Sequence, residues 1–147
     1  MNKWIQTDPA WAHEDMAMEG DKIEEWGCFL TAIANVIGTD PGTLNGIFKI
    51  QGVYQGKGFP MEESEIDCTK MRQVLKISVK KITIVEAIAY QGNNLIVCIR
   101  DNLSPSGKHY CNVLYTNDRY LTYWDVYKGG EKVAKNTDII GLYLISK

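Results

Sequence analysis

The chain predicts an α+β fold, with N-terminal helices packed on a twisted antiparallel β-sheet, and three observations lead there. Apolar residues recur at helical spacing between residues 28 and 37. From residue 77 onward the apolar runs turn β-branched and aromatic, as in LIVCIR, HYCNVLYT, RYLTYWDVY and IIGLYLIS. Several of these runs are joined by turns so short that the strands must pair antiparallel. Helices followed by consecutive strands make a helical layer against one sheet.

The elements follow in order. The first 22 residues carry no period and read as irregular. In 28–37, Phe29, Leu30, Ile33, Ala34 and Ile37 form the apolar stripe of a helix, and Gly38 supplies its C-terminal stop. A second short helix follows Pro41, with Leu44, Ile47 and Phe48 on one face. GVYQGKGFP (52–60) carries three glycines and a proline and reads as a loop. A third helical stretch covers about Asp67 to Leu75. Strands are expected in ISVKKITIV (77–85), LIVCIR (95–100), HYCNVLYT (109–116), RYLTYWDVY (119–127) and IIGLYLIS (139–146), with turns at 116–118 and 128–130.

At 147 residues, with 45% hydrophobic and 23% charged residues and no repeat or linker, one domain spanning 1–147 is expected. A net charge of −2 gives no electrostatic reason to expect nucleic acid or an anionic membrane as partner. No apolar run approaches a membrane span, and the N-terminus turns polar too early for a secretory signal. The expectation is therefore a complete soluble chain: cytoplasmic, phage-associated or exported by a signal-independent route. Cysteines stand at 28, 68, 98 and 111, spacings that match no zinc motif, so neither metal nor cofactor is expected. Cys98 and Cys111 read as buried core thiols inside strands. The acidic run from Glu62 to Asp67 reads as a solvated loop or helix start.

Chemistry concentrates on Cys28, His109 and Asp125. Cys28 opens the apolar helix, where unpaired backbone N–H groups and the positive end of the helix dipole stabilise a thiolate. Gly27 before it removes a side chain that would crowd the sulfur. Of the two histidines, His13 lies in a polar segment, whereas His109 opens a strand and has a fixed direction. A nucleophilic cysteine needs such a base, and the base needs an orienting group. A hairpin closed by 116 and 119 sets His109 opposite Val126, with Asp125 one residue away. Trp26 and Trp124 divide between core packing and the lining of a substrate groove.

Cys, His and Asp in this order, with their surroundings, resemble the papain-like cysteine peptidase superfamily, and in particular the branch related to bacteriocin-processing (double-glycine leader) peptidases. QTDPAW (6–11) is similar to the entry segment of that branch, and EWGCFLTAIANVIG to its nucleophile helix. GKHYCNVLY is similar to its histidine strand and YWDVYKGG to its aspartate strand. PGTLNGIFKIQGVY and EAIAYQGNNLIVCIR match intervening segments, the second as a helix leading into the strand before the histidine. The resemblance implies a papain-like fold, a bacterial or phage setting, and a peptide or protein substrate. It implies Cys28 as nucleophile, His109 as general base and acid, and Asp125 as orienting carboxylate. Gln6 would add an amide to the oxyanion hole beside the N–H of Cys28, with Gln51 and Gln55 as other amides able to reach it. After the cysteine, Phe29-Leu30 replaces smaller residues. Two further readings follow: a member that keeps the fold as a silent binding or accessory protein, and a protein deamidase or acyltransferase using the same triad.

Overall fold

Seven consecutive residues of one helix, Phe29 to Asn35, are buried, so this helix is covered on every side rather than along a stripe. It is α2 (Cys28–Ile37), preceded by a single turn, α1 (Ile23–Trp26), and followed by α3 (Pro41–Gln51) and α4 (Cys68–Leu75). The remaining elements are β1 (Ser78–Ile82), α5 (Ile84–Tyr90), β2 (Leu95–Arg100), β3 (Lys108–Thr116), β4 (Tyr120–Trp124), β5 (Glu131–Lys135) and β6 (Ile139–Ser146). A 3₁₀ turn, Asn136–Asp138, leads into β6. The computed structural model describes residues 1–17, 20–54, 66–90, 94–104 and 106–147. Most of the loop expected at 52–60, the acidic residues 62–65 and Gln55 lie outside the described residues.

The architecture is α+β: among the described residues there are five helices and a six-stranded, wholly antiparallel sheet in the order β1-β6-β2-β3-β4-β5. The C-terminal strand β6 inserts between β1 and β2. In β2, Leu95 to Ile99 are all buried, so both faces of this central strand are covered.

Local signals explain the helix limits. Gly38 ends α2 in the left-handed region, and the Asp40 side chain caps α3 through the Thr43 N–H, with Pro41 in the first turn. Asp67 likewise caps α4 through the Lys70 N–H. The run 77–85 departs from the expected single strand. Thr83 Oγ1 accepts from the Glu86 N–H, while Glu86 Oε1 accepts from Thr83 N–H, both at 3.2 Å. This reciprocal capping box ends β1 and starts α5. β5, where no strand is expected, buries only Ala134. As an edge strand it carries charge where a central strand would carry valine or isoleucine.

Two buried asparagines bind helix to sheet. Asn112 of β3 donates to the Ala32 carbonyl (2.9 Å) and accepts from Asn35 Nδ2 (2.8 Å). Asn35 also exchanges hydrogen bonds with the backbone of Trp4 (2.7 and 3.1 Å). The N-terminal segment is thereby tied across the molecule, and the Gln6 N–H continues to the Val126 carbonyl (2.6 Å). It lacks regular structure but is anchored, with Trp11, Ala12 and Met16 in the core. Among the described residues, no helix is long and apolar enough to cross a membrane.

Candidate active site

Cys28 is the first residue of α2, and Gly27 serves as C-cap of α1 and N-cap of α2 together. A helical hydrogen bond runs from Thr31 N–H to Gly27 O at the start of α2, so Cys28 stands in the first turn, at the positive end of the helix dipole. Gly27 is required for a reason other than access to sulfur. A Cβ there would stand 2.5 Å from the Ile23 carbonyl oxygen and 2.7 Å from Ile23 Cγ2. Its absence lets α1 close directly onto the head of α2.

His109 lies near the start of β3, and its Nε2–H donates to Asp125 Oδ1 at 3.0 Å. Both side chains are largely buried, at 11% and 6% exposure. Asp125 sits just past β4, where its carbonyl accepts from Gly129 N–H (2.8 Å) and its N–H donates to Gly130 O (3.0 Å). Gly129 and Gly130 both hold positive φ, the conformation this closed loop demands. The Tyr127 N–H donates to Asp125 Oδ1 (2.9 Å), and Lys132 Nζ of β5 reaches Asp125 Oδ2 (2.7 Å).

The register behind this contact differs from the expected one. Thr116 pairs with Leu121 and Tyr115 with Thr122, but past a bulge at Leu114, Val113 pairs with Tyr123 and Asn112 with Trp124. Continuing one step sets Asp125 across from Cys111, on the same face as His109 two residues back. With His109 opposite Val126, Asp125 would face Tyr110 and point to the other side of the sheet, because successive side chains alternate. The bulge supplies the needed shift.

Cys111 is therefore part of the site and not only a core thiol. His109 hydrogen-bonds to both Cys111 and Cys28. Burial opposes charge on the His109 ring, but the hydrogen bonds from Asp125, Cys111 and Cys28 together overcome it and raise its pKa well above the ordinary value. Burial likewise works to raise the Asp125 pKa, yet His109, Lys132 and the Tyr127 N–H hold it well below the usual carboxylate range. The Cys111 thiol is pushed up, since its burial outweighs the hydrogen bond with His109. Lys132 is raised by its bond to Asp125.

These groups open on a cavity of about 730 Å³. Gln6, Glu24, Glu25 and Cys28 line it together with His109, Asp125, Tyr127 and Lys132, and Asp101 and Leu103 come from the β2–β3 connection. Gln6 is buried at this wall. Its Nε2 donates to the carbonyls of Ile23 (3.3 Å) and Glu24 (2.9 Å), while its Oε1 has no hydrogen-bond partner among the described residues. Gln51 ends α3, exposed, and does not line the cavity. Trp26 and Trp124 pack against the core and are not among the lining residues. Trp124 Nε1 donates to the Trp4 carbonyl (3.2 Å). His13 is exposed and faces Glu24 at 3.5 Å.

Lys132, Tyr127 and Cys111 were not singled out by the sequence as site residues. For Cys111 a signal existed: His-x-Cys on a strand puts both side chains on one face. For Lys132 there was none, since nothing local marks β5 as the partner of β4. No protein-family model matches the chain, and no curated protein matches its sequence.

Proposed function

We propose that the chain is a cysteine hydrolase of the papain-like kind, related to the double-glycine leader peptidases, which cleaves a peptide or amide bond through a thioester on Cys28. One observation carries this reading: the hydrogen-bonded line from Cys28 through His109 to Asp125, at the head of a helix and on the wall of a cavity. With Nε2 committed to Asp125, His109 Nδ1 is the nitrogen left to exchange a proton with sulfur.

The Cys28 thiolate attacks the carbonyl carbon, and the backbone N–H of Cys28 stabilises the oxyanion that forms. His109 gives its proton to the departing amine as the C–N bond breaks, leaving a Cys28 thioester. Water then attacks the thioester with His109 as base, and the acid product and the thiol are released. Asp125 holds the ring orientation and stabilises the imidazolium. Deamidation or acyl transfer on a protein would use the same steps with a different leaving group or acceptor. A silent binding member is favoured by one feature, the engagement of both Gln6 amide hydrogens with carbonyls, which leaves one fewer oxyanion donor.

The test is the reaction of the intact protein with a thiol-directed acylating probe near neutral pH, located by mass spectrometry. Cys28 is expected to label fast and alone, and Cys28→Ala to lose both labelling and hydrolysis while keeping its fold. Equal slow labelling of all four thiols, or full hydrolysis by Cys28→Ala, would refute the reading.

A further inference from the structure

We propose that His109, Cys111 and Asp125 form a binding site for a thiophilic divalent cation of the zinc class. The cysteine spacings carry no zinc motif, and the site arises only through the fold. His109 and Cys111 share one face of β3, and the register beyond the Leu114 bulge brings Asp125 across from Cys111. The ligand atoms of all three lie within 4.8 Å of one another. One thiol, one imidazole and one carboxylate are a donor set that zinc accepts. Around a tetrahedral ion with bonds of about 2.0–2.3 Å, such atoms stand roughly 3.3–3.7 Å apart, so modest side-chain rotation closes the set. The His109–Asp125 distance of 3.0 Å is a little shorter than that range, so this pair has only to open slightly to admit an ion.

The hydrogen bonding suits this use. Lys132 holds Asp125 Oδ2, so Oδ1 is the oxygen turned to His109. Cys111 is fully buried and has no place in the thioester chemistry, whereas Cys28, half-buried on the cavity wall, bonds to the same imidazole. The fourth coordination position therefore falls to a water, because Cys28 faces the other ring nitrogen of His109. Cation binding stands without the hydrolase reading. Only its consequence rests on that reading: an ion on His109 takes the base away from Cys28 and makes the cation a reversible inhibitor.

Zinc ion is titrated into the full chain in competition with a chromophoric chelator, for wild type, Cys111→Ser and Cys28→Ala. Wild type is expected to take one ion, Cys111→Ser to bind at least about tenfold more weakly, and Cys28→Ala to keep most of the affinity. Urea unfolding of Cys111→Ser confirms that it folds. Cobalt added to Cys28→Ala is expected to give a thiolate-to-metal charge-transfer band, which does not depend on that variant. No zinc binding by wild type, equal binding by Cys111→Ser, or no such band would overturn the proposal. Cys28→Ala cannot turn over by the proposed route, so a binding result there is independent of the fate of the hydrolase reading.

Discussion

Cys28 and the His109–Asp125 pair reach the same cavity by different routes. The position of Cys28 is set within a dozen residues: Gly27 joins two helices, the apolar run Phe29–Ile37 buries the second, and Gly38 ends it. The positions of His109 and Asp125 depend on pairing between strands, on the bulge at Leu114, and on Lys132 from a third strand. A side chain placed by a helix terminus survives small errors elsewhere. A pair placed by cross-strand register fails as a unit when any member is removed.

The largest effect is therefore expected on the sheet side. Asp125→Ala leaves His109 buried without its carboxylate and should cost about 3 kcal/mol or more. That cost has a defined pH course. The lowered Asp125 pKa contributes stability above its unfolded value of 3.8, lost as pH falls through the folded value. The raised His109 pKa contributes fully below 6.5 and is lost as pH rises through the folded value. Urea unfolding of wild type and variant should thus differ most between about pH 4 and 6.5 and converge as pH rises further.

Asn112→Ala comes next. It removes a second hydrogen bond from the helical Ala32 carbonyl and leaves one buried Asn35 amide hydrogen without its acceptor, at about 2 kcal/mol. Because this joint lies away from the cavity, the labelling rate of Cys28 should be unchanged in a stopped-flow assay. A slowed rate would show that the two routes are coupled through α2.

Gly27→Ala tests the helix side. Its Cβ meets Ile23 backbone and side chain, so α1 must shift, at about 1–2 kcal/mol by thermal denaturation. Here Cys28 labelling should fall together with stability.

Lys132→Met should change stability least, below about 1 kcal/mol, because the lysine side chain is half exposed. Its signature is elsewhere. Removing a cation beside Asp125 makes the His109 imidazolium easier to retain, so the alkaline limb of the rate–pH profile should move up. Lys132→Arg should restore it, and an unmoved limb would reduce Lys132 to a surface ion pair.

The same contrast explains what the chain disclosed before its structure was known. α2 and α3 were legible because their signals are local: apolar period, a left-handed glycine after the last turn, and Asp40 capping before Pro41. LIVCIR and IIGLYLIS were legible because buried strands are continuously apolar. β5 was hidden, since EKVAK reads as a charged surface and gains strand character only beside β4. The expected pairing of Cys28, His109 and Asp125 named three residues that do converge, although the hairpin register used for it set Asp125 on the wrong face. Turn length cannot reveal a bulge, because Asn117 closes the turn by accepting from the N–H groups of Arg119 and Tyr120 (2.8 Å each), and the first strand pair shifts with it.

That bulge also sets which lengths of chain are permissible. If Leu114 paired regularly with Tyr123 instead of bulging, the turn-side register would run unbroken, and Asp125 would land across from Asn112, the residue next to its present partner. The sheet would still close, and the apolar faces could adapt, but the carboxylate and the imidazole would point into opposite halves of the molecule. Insertions should accordingly be tolerated better between Asn117 and Arg119 than within the ladder, because there they lengthen a loop. Between Tyr110 and Leu114 a change that draws Leu114 into the ladder would leave a folded chain with its chemistry taken apart.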